Sequence, residues 1–251
     1  QPNGYQGSDG SIARCVRLLK RELKQNQQEV SIPLFYRPGE AYQFDWGDMC
    51  VYLRGKLTTV YVAAIELCHS RAFYVRAYPC QKQELMLDAH RKAFERFGGS
   101  CRRGIYDNLK SAVKDLLKGH HRNLQEKFIQ FTAHYLIEPK FCNPAKGNEK
   151  GRVENLIKFI RNNFFVPIAS FASLAELNDR LASFAISICR RKIHPESSSL
   201  TRYDVYLQEQ ELLTPLPRYG LACCRPAMAI VTTSSLVFFD NNRYSVPAEY
   251  V

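Results

Sequence analysis

The sequence has little of several features that define other classes of protein. Its 251 residues include one tryptophan and three methionines, and 24 Asp+Glu are outnumbered by 35 Lys+Arg. No window approaches the roughly 20 consecutive apolar residues that a membrane-spanning helix needs. Residues 1–4 contain neither an initiator methionine nor an apolar signal region, so we expect an excised fragment rather than a secretory precursor. A composition that is 45% apolar and 24% charged predicts a folded protein with one large domain, alone or with smaller appendages.

Nine cysteines are present, but their spacing argues against a structural zinc site. The chain has no C-x-x-C pair, and its six histidines show no H-x3-H partner for one. The number of cysteines is odd and most lie inside apolar stretches. This is the pattern of reduced, packed thiols in a cytoplasmic protein.

The positive surplus amounts to a net charge of +11 and points to a polyanionic partner. Residues 101–165 hold 13 Lys+Arg against 6 Asp+Glu, so much of the surplus lies in this segment. Charge alone indicates a class of partner and not a fold. A basic protein without any special function would have the same composition.

Apolar periodicity predicts a basic N-terminal helix followed by a mixed α/β region. Three closely spaced strands with short connections predict an antiparallel meander, after which strands and helices alternate. The predicted strands are 41–53, 56–67, 71–78, 104–107 and 136–141, and the predicted helices after the first are 82–97, 124–135, 152–164 and 173–190. We expect a polar Pro/Gly loop over 142–151, an irregular basic stretch over 191–220, and strand-like alternation again over 226–251.

Three carboxylates occupy positions where chemistry is expected. Asp45 lies in the middle of a strand that otherwise reads as buried, and an ionised carboxylate there is costly unless it is paired or binds a metal. Asp107 ends the fourth predicted strand, and Glu154 begins the strong helix. Three carboxylates from two strands and a helix can hold two hard divalent cations, as two-metal phosphodiester cleavage requires. Oxygen ligands without nearby His or Cys favour Mg²⁺ or Mn²⁺ over zinc.

The order of these residues resembles the DDE catalytic core of retroviral-type integrases and transposases, which has an RNase H-like fold. The similarity is closer to the IstA-type insertion-sequence transposases, which work with a AAA+ ATPase. The segments that carry it are Phe44-Asp45-Trp46-Gly47, Tyr106-Asp107-Asn108-Leu109-Lys110, Asn148-Glu149-Lys150-Gly151-Arg152-Val153-Glu154 and residues 162–167 (NNFFVP). The interval from Asp107 to Glu154 is longer than is typical of integrases, and the family accommodates this around residues 111–135.

The resemblance covers almost the whole chain and implies its domain organisation. The implied core is α/β and RNase H-like, with a mixed five-stranded sheet and flanking helices. Residues 5–23 resemble the end of a helix-turn-helix region, and Arg243-Tyr244-Ser245-Val246-Pro247 resembles the β-barrel that follows the core in the family. The expected divisions are a DNA-binding region over 1–30, a linker over 31–40, the catalytic core over 41–190, a basic linker over 191–225 and the start of the β-barrel over 226–251.

The resemblance implies that Asp45, Asp107 and Glu154 are the catalytic acids and bind two Mg²⁺ ions, with Mn²⁺ as a substitute. Glu149 is the alternative third ligand. We favour Glu154 because it falls within the predicted helix, whereas Glu149 falls in the predicted loop. Asp48 is the alternative to Asp45, but it lies three residues further on and faces the opposite side of the strand.

The resemblance also implies cationic contacts with DNA. Lys158 and Arg161 share a stripe of the predicted helix with Glu154, so we expect them to approach the DNA end beside the metal ions. An ordinary surface ion pair between Glu154 and Lys158 fits the same spacing. Lys146 and Lys150 lie in the predicted loop, which either closes over the substrate or is merely solvated. The expected DNA-binding residues are Lys158, Arg161, Lys150, Arg152, Lys146, Arg14 and Arg17.

The implied activity is that of a Mg²⁺-dependent polynucleotidyl transferase. Water first cleaves the phosphodiester at a transposon end, and the freed 3′-hydroxyl then attacks target DNA without a covalent protein intermediate. The implied partners are transposon-end and target DNA, a AAA+ ATPase helper, and further copies of the chain in a synaptic complex (a dimer or higher oligomer). The expected location is the bacterial cytoplasm, at the nucleoid and not at a membrane. A nuclease on the same fold and a catalytically inert DNA-binding protein are the alternatives.

Overall fold

The computed structural model describes residues 9–26, 35–106, 113–116, 122–142, 147–224, 228–239 and 241–250. The chain divides into two units, residues 1–35 and residues 36–251. The first unit contains helix α1 (Asp9–Asn26), whose described side chains, including those of Arg14 and Arg17, are exposed to solvent. Among the described residues, no helix combines the length and the apolar character needed to cross a bilayer.

The second unit contains the strands and helices of the predicted α/β core. In chain order they are β1 (Ala41–Leu53), β2 (Lys56–Leu67), β3 (Phe73–Tyr78), α2 (Gln83–Phe97), β4 (Arg103–Tyr106), β5 (Val113–Leu116), β6 (Arg122–Leu124), α3 (Glu126–His134), β7 (Glu138–Phe141), α4 (Gly147–Phe164), β8 (Ser170–Phe171), α5 (Leu174–Arg191), α6 (Arg202–Gln210), β9 (Leu236–Phe239) and β10 (Asn242–Ser245), followed by one 3₁₀ turn (Ala248–Tyr250).

The main sheet has the order β3-β2-β1-β4-β7. β1, β2 and β3 pair in antiparallel fashion, which confirms the predicted meander, and β4 and β7 are added in parallel. The predicted mixed five-stranded sheet is therefore confirmed. The two-residue strand β8 joins as a sixth, unpredicted strand by pairing in parallel with the last two residues of β1.

Strand β1 lies at the centre of this sheet and is covered on both faces at its start. Its first four residues are all buried, and from Gly47 onward buried and exposed residues alternate. A continuous apolar run is expected where helices cover both faces of a sheet, and alternation where only one face is covered. The sheet therefore changes from doubly to singly covered within β1, close to Asp45.

One face of the sheet packs against α2 and α3 through an aromatic cluster. The ring of His90 on α2 lies 4.5 Å from that of Phe44 and 5.6 Å from that of Tyr106, between centroids. The hydroxyl groups of Tyr42 and Tyr106 form a hydrogen bond across the β1–β4 pair. An added Cβ on Gly104 would lie 2.6 Å from both hydroxyl oxygens, so this glycine makes room for the tyrosine pair.

The other face packs against α4 and α5. Ile160 of α4 and Leu177 and Leu181 of α5 are completely buried there. Asn178 of α5 accepts a hydrogen bond from the backbone N–H of Ala77 at 2.7 Å and donates one to its carbonyl at 3.1 Å. This side chain satisfies the outer backbone of edge strand β3, which would otherwise offer a template for pairing with another chain.

Residues 191–220 were predicted to be irregular, and this prediction is wrong because they contain α6. The helix begins with a capping box in which Thr201 and Asp204 exchange hydrogen bonds. Its Glu209 is fully buried and accepts hydrogen bonds from the backbone N–H groups of Gly39 (2.9 Å) and Ser70 (3.0 Å). Helix α6 is only nine residues long, so its periodic pattern is weak, and tertiary contacts such as those of Glu209 hold it in place. The domain boundaries at 31–40 and 191–225 stay a prediction.

Two further predictions are corrected near the expected loops. Helix α4 begins at Gly147, not at 152, so part of the predicted 142–151 loop is helical. Gly147 and Gly151 suggested a loop because each lowers helix propensity by about 1 kcal/mol, but the helix includes both of them. Strands β5 and β6 pair as an unpredicted hairpin. Within 226–251, β9 and β10 form an antiparallel hairpin, and the described residues there do not close a barrel.

Burial of His90 makes the stability of this core depend on pH. Desolvation lowers the pKa of the His90 imidazole from 6.5 to about 4, although a hydrogen bond to the Met86 carbonyl at 2.7 Å opposes this shift. The unfolded chain therefore binds a proton at a higher pH than the folded one does. The stabilisation is complete above about pH 6.5 and is lost as the pH falls towards 4.

His90→Phe is expected to reduce the loss of stability between pH 7.5 and pH 5 by about 2 kcal/mol relative to wild type, because phenylalanine does not titrate. Phenylalanine also fits the aromatic surroundings and removes the buried His90 Nε2, which has no hydrogen-bond partner among the described residues. Urea unfolding at the two pH values measures the effect. Parallel losses in the variant and the wild type would show that other groups cause the pH dependence.

Candidate functional site

Asp45 is held at the point of β1 where the sheet loses its double cover. Its side chain is half-buried, and its Oδ1 accepts a hydrogen bond from the backbone N–H of Trp46 at 2.9 Å. Trp46 is itself packed edge-on against Phe44 and Tyr78, with ring centroids 5.6 and 5.9 Å apart. The carboxylate of Asp45 is thus oriented by a residue that the core holds in place.

The end of β4 lies beside Asp45. The parallel register of β1 and β4 runs from Ala41↔Arg103 to Phe44↔Tyr106. In the sequence, Asp45 follows Phe44 just as Asp107 follows Tyr106. Asp107 lies outside the described residues, so the structure brings the two strand ends together without describing the second predicted acid.

Helix α4 crosses β1 at Gly47. An added Cβ on Gly47 would lie 2.7 Å from Cγ2 of Ile157, which is too close for any side chain. Further along both elements, Arg161 Nη2 donates a hydrogen bond to the carbonyl of Asp48 at 3.3 Å. The chain leaving α4 then pairs with the end of β1 through β8. Helix and strand therefore run in the same direction.

This direction places Glu154 and Asp45 on the same side of the crossing point. Glu154 precedes Ile157 by three residues, or about 4.5 Å along the helix axis. Asp45 precedes Gly47 by two residues, or about 6.6 Å along the strand, and shares its face of the sheet because side chains alternate. The side chain of Glu154 is half-buried. The fold therefore brings these two predicted acids towards each other.

Helix α4 contains both Glu154 and Glu149, so the expectation that one lies in a helix and the other in a loop does not distinguish them. Their angular positions around the helix differ. At 100° per residue, Glu154 and Arg161 are about 20° apart around the helix, whereas Glu149 is about 140° from Glu154. Arg161 donates a hydrogen bond to the backbone of β1. Glu154 thus shares the flank of α4 that carries Arg161, while the side chain of Glu149 lies outside the described part of the structure.

The structure describes only some of the side chains that were predicted to bind DNA. Lys158 and Arg161 are exposed on α4, next to the half-buried Glu154. The backbones of Lys150 and Arg152 are helical, but their side chains, like the whole of Lys146, lie outside the described residues. Arg14 and Arg17 are exposed on α1, in the other unit of the chain. The alternative acid, Asp48, is exposed, in keeping with its expected orientation away from the Asp45 face.

The donor set suits a hard divalent cation. Carboxylate oxygens are the ligands that Mg²⁺ and Mn²⁺ prefer, and Asp45 and Glu154 supply them from a strand and a helix. In the described ranges, which leave out Asp107, no cluster of three or more His, Cys, Asp or Glu side chains forms a metal site. The described positions of Asp45 and Glu154 are compatible with a metal site that a third carboxylate, such as that of Asp107, would complete.

Two residues of this region were not singled out from the sequence. Gly47 allows the close approach of α4, and an isolated glycine within a strand pattern is a known signal of such an approach. Glu66 of β2 pairs with Gln43 of β1 and is 6% exposed, so it is a buried carboxylate on the same face as Asp45. A single charge near the end of an apolar strand offered no distinguishing pattern.

Comparisons with known proteins identify the class of this fold. The integrase core domain family matches residues 36–146. A simian T-cell lymphotropic virus intasome structure, determined in complex with the PP2A regulatory subunit B56 gamma, superposes with a TM-score of 0.50 at 13% identity, over 90% of this chain and 83% of that one. Together with the sheet order, these matches define an integrase-type, RNase H-like catalytic core.

Insertion-sequence transposases resemble the chain along nearly its whole length. The IS1326/IS1353 transposase of Pseudomonas aeruginosa is 40% identical over 98% of this chain and 49% of its own length. The IS21 transposase of the same species is 30% identical over 97% of this chain and 61% of its own length. The chain thus spans about half to three fifths of these relatives. The chain is therefore similar to the IS21-type DDE transposases, which the sequence motifs predicted.

The contact of Gly47 with Ile157 yields a double-mutant prediction. Gly47→Ala should lower the free energy of unfolding by about 1–3 kcal/mol through overpacking, and Ile157→Ala should lower it by about 2–5 kcal/mol. In the double variant the losses should be less than additive by at least about 0.5 kcal/mol, because the second change removes the atom that the first one meets. Urea unfolding of the four proteins measures this coupling.

The matched control replaces Ile160, which is also buried on α4 but is not among the atoms nearest to Gly47. Gly47→Ala combined with Ile160→Ala should be additive within about 0.5 kcal/mol. Equal coupling in both pairs would contradict a specific contact between Gly47 and Ile157.

Proposed function

We propose that this chain carries the catalytic core of a DDE transposase that cleaves DNA at transposon ends and joins the freed ends to target DNA. The observation that carries the proposal is the approach of α4 to the end of the β1–β4 pair. Asp45 precedes Gly47 on β1, Glu154 precedes Ile157 on α4, and Asp107 directly follows β4 in the sequence, which supports a site formed by these three acids. Similarity to insertion-sequence transposases and to the integrase core domain family supports the same activity.

In this proposal Asp45, Asp107 and Glu154 hold two Mg²⁺ ions, for which Mn²⁺ can substitute. When bound, such ions activate the attacking oxygen and stabilise the leaving oxygen of a phosphodiester. The backbone N–H of Trp46 fixes the orientation of the Asp45 carboxylate. Exposed Lys158 and Arg161 bind DNA phosphates beside the acids and supply affinity without reading the base sequence. Lys150 and Arg152, which belong to α4, and Lys146, which precedes it in the sequence, are further proposed contacts with DNA phosphates.

Transposon-end and target DNA, a AAA+ ATPase helper and further copies of the chain are the proposed partners. The net charge of +11 supports a polyanionic partner. Exposed Arg14 and Arg17 give α1 a basic surface suited to DNA phosphates. Two-ended transposition requires two active sites to act on paired ends, which supports a synaptic dimer or a higher oligomer.

Asp45→Asn and Glu154→Gln are each expected to reduce Mg²⁺-dependent cleavage of the insertion-sequence ends by at least about 100-fold, because bound ions supply several kcal/mol of transition-state stabilisation. DNA affinity in EDTA should stay within about twofold of wild type, since the phosphate-binding cations remain. Asp48→Asn is the matched control and should keep its activity. Loss of affinity parallel to the loss of cleavage would contradict a metal-binding role.

Calorimetry with Mn²⁺ distinguishes the two candidates for the third acid. Binding should be lost in Glu154→Gln and retained in Glu149→Gln, because Glu154 shares the flank of α4 that reaches β1. The reverse result would assign the third ligand to Glu149.

Strand transfer separates a transposase from a nuclease on the same fold. Pre-cleaved transposon ends incubated with supercoiled plasmid and Mg²⁺ should give joined products, because the 3′-hydroxyl replaces water as the attacking group. A pure nuclease would produce nicks without joined product. Absence of both products with Mg²⁺ and with Mn²⁺ would favour a DNA-binding protein without catalytic activity.

A further inference from the structure

A second charged site lies on the flank of α4 opposite to Glu154. We propose that this cleft binds a phosphate group of the DNA backbone, an inference that rests on the proposed function for the identity of the ligand. We call it the basic cleft. The residues that define it are Glu66, Arg71, Asn155, Phe159, Lys192 and Arg202, and its volume is about 310 Å³.

The charges of the basic cleft call for an anion. Arg71, Lys192 and Arg202 contribute three positive charges, against the carboxylate of Glu66. The Nε atoms of both Arg71 and Arg202 are buried, and neither has a hydrogen-bond partner among the described residues. A buried donor without a partner costs about 1–3 kcal/mol, and more when it carries charge. A phosphate oxygen would satisfy these donors and offset the excess positive charge.

Arg71 and Arg202 occupy positions where the local backbone disfavours arginine. Arg71 lies in the β2–β3 turn with φ of 63°, in the left-handed region that favours glycine. Arg202 is the first residue of α6, where the helix dipole favours anions and not cations. A phosphate bound in the basic cleft would meet the guanidinium groups and lie near the positive end of α6. A bound phosphate would thus offset the unfavourable positions of both arginines.

The remaining cation is already held in place. The Nζ of Lys192 lies 4.8 Å from the centroid of the Phe159 ring, in a cation–π contact with α4. Pre-ordering of a side chain reduces the entropy lost when a ligand binds. The cavity is far larger than the roughly 15 Å³ that a single water molecule needs, so it has room for a phosphate group.

The position of the basic cleft suits a DNA strand that passes over α4. Asn155, which follows Glu154 in the chain, lines the cleft. Successive helical residues are about 100° apart, so the two side chains leave α4 on different flanks at nearly the same height. A backbone phosphate held in the cleft would therefore anchor DNA one helix width from the candidate acids. Contacts of this kind position a duplex without selecting its sequence.

Arg71→Gly tests the proposal, because glycine suits the left-handed backbone and the variant should fold. The matched control is Arg54→Gly: Arg54 is also in the left-handed region (φ of 51°), is exposed, and lies at the other end of β2. Both changes remove one positive charge. Binding of fluorescent duplex DNA by the protein is measured by anisotropy in EDTA at several salt concentrations.

We expect Arg71→Gly to weaken DNA binding about tenfold, as the loss of a charge-assisted hydrogen bond implies. The slope of log affinity against log salt should fall in magnitude by about one, and Arg54→Gly should change neither quantity. Arg202→Gln should reproduce the effect of Arg71→Gly. Equal effects of Arg71→Gly and Arg54→Gly, or no effect of either, would overturn the proposal.

Inorganic pyrophosphate provides the second arm of the experiment. If it stabilises the wild type against heat and not Arg71→Gly, while both proteins bind DNA equally, the cleft binds a free phosphate compound and the assignment to DNA is wrong. The assay contains no metal ion, so a failure of the proposed catalysis does not affect it.

Discussion

The approach of α4 to β1 at Gly47 is the contact on which the candidate site depends. Because Gly47 has no side chain, Ile157 packs directly against the strand, and the helix comes close enough for Arg161 to reach the Asp48 carbonyl. Glu154 precedes this contact by one turn. A single close approach therefore sets the distance between an acid on the sheet and an acid on a helix that is more than 100 residues away in the sequence.

The aromatic cluster on the opposite face of the sheet fixes the position of β4 relative to β1. The hydrogen bond between Tyr42 and Tyr106 joins β1 to β4, and His90 packs against both strands from α2. Parallel pairing demands a long connection, so register is not enforced by a tight turn as it is between β1 and β2. Side-chain packing across Gly104 supplies that register instead. Packing on the α2 face of the sheet thus aligns β1 with β4, and packing on the other face positions α4.

Helix α4 has a different role on each flank. One flank carries Glu154, Lys158 and Arg161, of which Arg161 hydrogen-bonds to β1, and on the other flank Asn155 and Phe159 line the basic cleft. The cleft also draws on the β2–β3 turn and on the chain between α5 and α6. The region after α5 is consequently part of the surface that is proposed to bind DNA, and buried Glu209 ties it to Gly39 and Ser70.

By itself the sequence determined the strands, most helices and the identity of the candidate acids. Residues 41–53 and 56–67 have patterns of apolar and β-branched residues that a local reading captures, and their bounds agree with β1 and β2. The motifs around Asp45, Asp107 and Glu154 were sufficient to predict the family. Helix α6 escaped prediction because long-range contacts, such as those of Glu209, outweigh its weak local propensity, and the first turn of α4 escaped it because two glycines lower its helix propensity.

Only the tertiary structure decided which residues meet. In the sequence, Glu154 was preferred to Glu149 because it was expected in a helix and Glu149 in a loop. In the structure both are helical, and Glu154 is preferred because it shares the flank of α4 that carries Arg161. The grouping of Arg71, Lys192 and Arg202 has no sequence signature, since the three residues are more than 100 positions apart at the extremes. Periodicity reports the environment of neighbouring residues, whereas a cleft between elements depends on how those elements pack, and this is settled by side-chain shapes across the whole core.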